Sequence, residues 1–245
     1  MAETHRPAVP GLDAACRALA RGQAVIVPNP SPMTYGLVAT SASAVNTVKG
    51  RPIDQAVAVS LHDQGEWRRV TPALDLPDEL LPMIDALLRE RLSLLVPVRG
   101  AARLPAWAQS AVQGGHVAMF SGWWAPLAPL WNRFPRLYGS SANRTGQPPA
   151  ASAADAASML GADLPMIDGD ALRDPRRVHA ASTVVRVTPD GTLSPHRRGA
   201  QDAASGLDFD AYVQRLASIE IDGGAGADAD ADADAEVHRN GGTGR

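Results

Sequence analysis

Lysine is almost missing from this sequence. Of its 23 basic residues, 22 are arginine and one is Lys49. Cysteine is equally scarce: Cys16 stands alone, so no internal disulfide can form, which fits a reducing cytoplasm. No apolar run approaches the roughly 18 residues that a membrane span needs. The opening MAETHRPAVPG also lacks the basic-then-apolar pattern of a secretory signal. A cytoplasmic protein without a membrane segment is therefore expected.

Excess charge is lacking too. The formal net charge is −3, and it is unevenly placed. In residues 221–245 the six acidic side chains from Asp222 to Glu236 outnumber Arg239 and Arg245 by four, which leaves residues 1–220 at +1. A near-neutral body is not the footprint of a dedicated duplex-binding domain, which carries a clear basic excess; localised basic grooves stay open. What the chain does have is 45% hydrophobic residues over 245 positions, enough for a buried core and too many for a disordered chain. The Ala-Asp alternation of Gly223–Glu236 is low in complexity. The expected organisation is a flexible N-terminus over 1–10, one domain over 11–218 and a disordered acidic tail over 219–245.

The common chemical signatures are absent as well. There is no phosphate loop ending in Gly-Lys-Ser/Thr, no dinucleotide fingerprint, no Gly-x-Ser-x-Gly elbow and no His-Glu-x-x-His. The six histidines, His5, His62, His116, His179, His196 and His238, show no ligand spacing. No protein-ligated metal is expected.

Helical and strand patterns alternate along the chain, which argues for an α/β fold with a partly parallel or mixed sheet. Leu12, Ala15, Cys16 and Leu19 have amphipathic helical spacing. Ala24–Val27 reads as a strand stopped by Pro28, and Asn29–Met33, with two prolines, as a loop. Further helices are expected over Ser43–Val48 (capped by Ser41 or Ser43), Asp78–Arg91, Ser152–Leu160 and Leu207–Leu216. Strands are expected over Gln55–Leu61, Leu92–Val98, His116–Phe120, Arg136–Gly139, Leu164–Ile167, Thr183–Val187 and Thr192–Pro195. Trp123-Trp124, with Trp131 and Phe134, reads as packing surface rather than a base-stacking platform. Arg68-Arg69 and Arg176-Arg177 read as solvated faces.

Two segments carry chemistry. Lys49-Gly50-Arg51-Pro52 places two cations at a rigid turn, a point charge beside a bidentate fork, which suits phosphate or carboxylate. A solvated turn accounts for the same residues. Tyr138-Gly139-Ser140-Ser141-Ala142-Asn143-Arg144-Thr145-Gly146-Gln147-Pro148-Pro149 is a hydroxyl- and amide-rich loop at a strand end, where open α/β sheets bind ligands. A helix-capping loop is the bland alternative.

Together and in this order, Lys49-x-Arg51 and Ser141-x-Asn143 resemble the signature of the Sua5/YciO/YrdC family, the threonylcarbamoyl-AMP synthases of tRNA modification. Pro30-Ser31-Pro32-Met33-Thr34-Tyr35-Gly36-Leu37 is similar to the family's opening Pro-Thr-x-Thr-x-Tyr-Gly-Leu. Ser182-Thr183-Val184-Val185 is similar to its Ser-Thr-Val-Val strand, and Arg197-Arg198-Gly199-Ala200 to its closing Arg-Pro-Gly-Ala. The resemblance spans about residues 11–200. It implies a YrdC-like twisted mixed sheet with flanking helices around a large, positively lined cavity, where L-threonine, bicarbonate and ATP become threonylcarbamoyl-AMP and pyrophosphate. On that reading Lys49 and Arg51 hold phosphates or the carbamate, and Ser141 and Asn143 bond the nucleotide. Ser182 and Arg197 complete the phosphate side, while Ser31 and Tyr35 face substrate. Mg²⁺ arrives with the nucleotide, and double-stranded RNA is a further partner that the resemblance implies.

The sequence departs from the family pattern at three places. Met33 replaces a threonine. Leu88-Arg89-Glu90-Arg91-Leu92-Ser93 stands where the family has Trp-Pro-Gly-Pro-Leu-Thr. Val117-Ala118-Met119-Phe120 lacks the arginine of Val-Arg-x-Pro. Three functions stay open on the sequence: a threonylcarbamoyl-AMP synthase, an ATP-using enzyme with another acceptor, and a non-catalytic paralogue that binds nucleotide or RNA.

Overall fold

The computed structural model of the protein describes residues 9–29, 34–173 and 179–218. Ser31, Met33, Arg176-Arg177 and the acidic tail lie outside the described residues.

Short runs of small and branched apolar residues become strands. In chain order these are β1 (Val25–Asn29), β2 (Thr34–Ala39), β3 (Ala58–Ser60), β4 (Ser93–Pro97), β5 (Val112–Gln113), β6 (His116–Phe120), β7 (Tyr138–Ser141), β8 (Val184–Val187) and β9 (Leu193–Arg197). They form one sheet in the order β1-β2-β7-β3-β6-β4-β8-β9, with β5 paired to β6 off that path. β3 is parallel to β6 and β4 to β8, and the other pairings are antiparallel. The expected mixed α/β architecture is thus present.

Amphipathic stretches become the flanking helices α1 (Leu12–Ala20), α2 (Ala42–Val48), α3 (Gln64–Val70), α4 (Leu81–Arg89), α5 (Ala106–Gln109), α6 (Ala128–Arg133), α7 (Ala153–Leu160), α8 (Ala200–Ser205) and α9 (Phe209–Ala217). Side-chain oxygens satisfy the first free backbone donors at several starts. Ser41 caps α2 through the Ala44 N–H at 3.2 Å, and Ser152 caps α7 through Asp155 at 3.0 Å. None of the helices among the described residues is long and apolar enough to cross a membrane.

Two apolar clusters hold these layers together. The larger joins strand residues such as Ile26, Leu37, Val59, Leu94 and Met119 to Val45 of α2, Ile84 of α4 and Tyr212 of α9. The smaller packs Cys16 and Leu19 of α1 and Trp131 of α6 against Val25 and Val27. Each fully buried large aliphatic side chain contributes roughly 1.5–3 kcal/mol. Trp131 and Phe134 pack as expected, whereas Trp123 remains 41% exposed.

The structure revises several expected elements. Pro28 does not stop β1, which runs through it to Asn29. β1 lies at the end of the sheet order, so a proline without a donor is tolerated there. Leu164–Ile167 is not a strand; Met166 makes one isolated parallel bridge to Ile26. Asp78–Leu80 forms a 3-10 turn before α4, and Pro82 sits in the first turn of α4. The strands β2 and β5 and the helices α3, α5, α6 and α8 were not anticipated.

Candidate functional site

The register of the sheet brings the two chemistry-bearing segments together. β2 pairs with β7 so that Gly36 faces Ser141, and the Ala142 N–H donates to the Tyr35 carbonyl at 2.9 Å. The loop after β7 therefore starts beside Tyr35 and runs past the C-terminus of α2.

At that terminus the turn is fixed from within. Gly50 has a left-handed backbone (φ +61°), a conformation favouring glycine, and reverses the chain after Lys49. Asn46, fully buried, donates through Nδ2 to the carbonyls of Ile53 at 3.2 Å and Gln55 at 2.8 Å. The Arg51 N–H in turn donates to the Asn46 carbonyl at 2.9 Å. Sequence reasoning missed Asn46, although an amide inside a short helix just before a Lys-Gly-Arg-Pro turn is a usable signal.

Lys49 is fully committed within this frame. Its Nζ donates to the Ser141 carbonyl at 2.7 Å, the Asn143 carbonyl at 2.8 Å and Asn143 Oδ1 at 2.6 Å. Ser141 Oγ also donates to Asn143 Oδ1, at 2.8 Å. Burial, with the Arg51 guanidinium second, pulls the ammonium down to about 8. Three oxygen acceptors hold its charged form against that pull.

Beside this clamp opens a cleft of about 400 Å³ along the sheet. Arg51, Ser140 and Ser141 line it at β7, and Arg91, Ser182, His196 and Arg197 line it around β4, β8 and β9. Arg51 Nη1 reaches Ser140 Oγ at 3.4 Å, and Arg197 donates to the Ser182 carbonyl at 3.0 Å. None of the described residues lining the cleft is Asp or Glu. Such a surface attracts anions and offers them guanidinium forks and hydroxyl donors. The described residues gather no group of three His, Cys, Asp or Glu side chains able to hold a metal ion.

The sequence-derived site residues thus separate into groups. Lys49, Ser141 and Asn143 meet, with Arg51 alongside; Ser182 and Arg197 meet across the same cleft. Lys49 and Asn143 are not among the lining residues. Tyr35 lines the cleft, but its hydroxyl donates to Asp170 Oδ1 at 2.8 Å and accepts from the Gly169 N–H at 3.0 Å. Burial and the Asp170 carboxylate raise its pKa well above the usual phenol value. Ser31 lies outside the described residues. Ala118, where the family pattern has arginine, lines the cleft with a short side chain.

The closing motif has a second, structural meaning. Asp202 of α8 accepts from the Gly199 N–H at 2.6 Å, from Thr183 Oγ1 at 2.8 Å and from Arg198 at 3.0 Å. A Cβ on Gly199 would lie 2.3–2.4 Å from the backbone of Ala181, Ser182 and Thr183. The Ser-Thr-Val-Val and Arg-x-Gly-Ala segments therefore clasp each other and hold Ser182 against Arg197. Asp202 was not foreseen, because the Thr183 partner that joins the two segments is distant from it in sequence.

The Sua5_yciO_yrdC family model, described as "Telomere recombination", matches residues 17–199. The chain belongs to the Sua5/YciO/YrdC family. Among solved structures, P. abyssi Sua5 complexed with L-threonine is 19% identical with a TM-score of 0.60, the match covering 84% of this chain and 57% of that one. E. coli YciO is 13% identical with a TM-score of 0.55, covering 80% and 92%. T. kodakarensis HypF is 16% identical with a TM-score of 0.59, covering 78% and 24%. This chain spans less than two thirds of the Sua5 it matches, and identities this low establish a shared fold alone. No curated protein matches the sequence significantly.

Proposed function

We propose that this member of the family is an L-threonylcarbamoyladenylate synthase-like enzyme of tRNA threonylcarbamoyladenosine modification. It would use L-threonine, bicarbonate and ATP and release pyrophosphate. The observation carrying this reading is the cleft itself, which gathers Arg51, Arg91 and Arg197 with serine hydroxyls and no described carboxylate. Adenylyl transfer to the carbamate of threonine breaks the bond between the α- and β-phosphates. That step needs positioning and charge neutralisation rather than a covalent nucleophile. Arg51 and Arg197 neutralise phosphate charge, and the Ser140–Ser141 hydroxyls orient the nucleotide. Mg²⁺ comes with ATP, as no described carboxylate lines the cleft to hold it.

Three donor bonds from Lys49 to the Ser141–Asn143 loop favour a second reading, a paralogue that binds nucleotide without turnover. The same basic surface would give RNA a weak, salt-sensitive contact. Purified protein with ATP and bicarbonate, with and without L-threonine, separates the readings by pyrophosphate release. Threonine-dependent release supports the synthase. Release indifferent to threonine points to another acceptor, and ATP retention without release points to the paralogue.

A further inference from the structure

Arg91 is the one non-glycine among the described residues with a left-handed backbone, at φ +59°. In that conformation Cβ crowds the following carbonyl, so glycine or asparagine normally occupies it. The local turn does not call for arginine. Its N–H donates to the Leu88 carbonyl at 3.0 Å, a helix-ending bond that glycine would make with less strain.

The surroundings nevertheless hold Arg91 in place. Gln201 of α8 donates through Nε2 to the Arg91 carbonyl at 2.9 Å, and its Oε1 accepts the Thr183 N–H at 2.8 Å. One amide thereby ties the α4–β4 turn to the Ser182–Thr183 segment. Both Arg91 and Ser182 line the cleft. A strained residue persists where its neighbours over-determine it, and such residues concentrate at binding sites.

Position adds to this. Arg51 approaches Ser140 on β7, whereas Arg91 lies two residues before the first residue of β4. In the sheet β7 and β4 are separated by β3 and β6, three strand spacings of about 4.8 Å, or roughly 14 Å. The cationic lining is therefore divided between two ends, Arg51 at one and Arg91 with His196 and Arg197 at the other.

We propose that Arg91 is a specificity-determining residue: its guanidinium binds an anionic group of the ligand, phosphate or carboxylate, at the end of the cleft away from Arg51. This assignment rests on the cleft being the ligand site proposed above. A planar fork at a fixed rim suits either anion, since both accept two parallel N–H bonds.

The test uses the full chain, Arg91→Gly and Arg91→Lys, with calorimetric titration of Mg·ATP, of inorganic pyrophosphate, and of L-threonine in the presence of ATP. Thermal unfolding is followed in parallel. Arg91→Gly is expected to melt at or above the wild-type midpoint while binding at least one probe tenfold or more weakly. Arg91→Lys is expected to recover part of that loss. Weakened ATP and pyrophosphate binding identifies the anion as phosphate; weakening confined to L-threonine identifies it as carboxylate. The proposal is overturned if Arg91→Gly binds every probe like wild type, if it melts lower with unchanged affinities, or if wild type binds no probe. Arg91-dependent ATP binding without pyrophosphate release would overturn the synthase and leave the Arg91 subsite standing.

Discussion

The Lys49 ammonium donates to Asn143 twice, at 2.6 Å to the side-chain oxygen and 2.8 Å to the main-chain oxygen. With its third bond to the Ser141 carbonyl, it binds the C-terminus of α2 to the loop after β7. The lysine and the Ser-x-Asn segment therefore form one unit before any ligand arrives. Lys49→Met should leave three oxygens without their cation and destabilise the protein by about 2 kcal/mol, the scale of bonds to a charged donor. Arg144 is exposed in the same loop, so limited trypsin digestion should cut after it faster in the variant. Unchanged denaturation and unchanged cleavage would show that the clamp carries no stability.

The pH dependence of Lys49 is directly accessible because the chain has no other lysine. Burial and Arg51 lower its pKa to about 8, so the nucleophilic neutral amine is present at lower pH than for an ordinary lysine. Labelling by an amine-specific reagent, mapped by peptide mass spectrometry to separate it from the α-amine, should reach half its maximal rate near pH 8. A half-maximum above pH 10 would mean that the three oxygen acceptors outweigh burial. If the cleft holds ATP, the nucleotide should slow the reaction.

Asp202 should contribute to acid stability. Burial alone would raise its carboxyl pKa, but the Gly199 N–H, the Thr183 hydroxyl and Arg198 together bring it below the usual carboxylate value. A carboxyl whose folded value is depressed adds stability that is present above its unfolded pKa and fades as pH falls through the folded one. Asp202→Asn should therefore cost about 3 kcal/mol at neutral pH and progressively less as pH falls below the ordinary carboxylate range. Urea denaturation of both proteins across that range measures it; a pH-independent difference would contradict the assignment.

Much of this arrangement was readable in advance. Caps at Ser41 and Ser152 and the spacing of Leu12, Ala15, Cys16 and Leu19 mark helices through local chemistry alone. Lys49 and Ser141 were read as one site, which β2, β7 and α2 bring together. The run Leu164–Ile167 misled because apolar content marks burial, and burial beside β1 requires only one bridge. α3 escaped notice because Trp67 and Val70 are its only large apolar residues. Arg91 stood out only as a departure from the family pattern and Asp202 not at all, because Gln201 and Thr183, the partners that place them, are supplied by the tertiary fold.

Two glycines separate rigidity from cleft shape. A Cβ on Gly199 would meet three backbone atoms of the Ala181–Thr183 segment at 2.3–2.4 Å, and none of them can turn aside. Gly199→Ala should cost about 3 kcal/mol or more and part the Ser182 and Arg197 segments. A Cβ on Gly139 would meet the tip of the Phe120 ring at 2.5 Å, an end that can swing, and Phe120 lines the cleft. Gly139→Ala should therefore cost no more than about 1 kcal/mol while the displaced ring narrows the cleft and weakens ATP binding. Denaturation and ATP titration on both variants give opposite patterns under this account: a large stability loss for the first, and an affinity loss at near-normal stability for the second. If Gly139→Ala loses stability as heavily as Gly199→Ala, the Phe120 ring is packed too tightly to move, and the cleft floor is rigid.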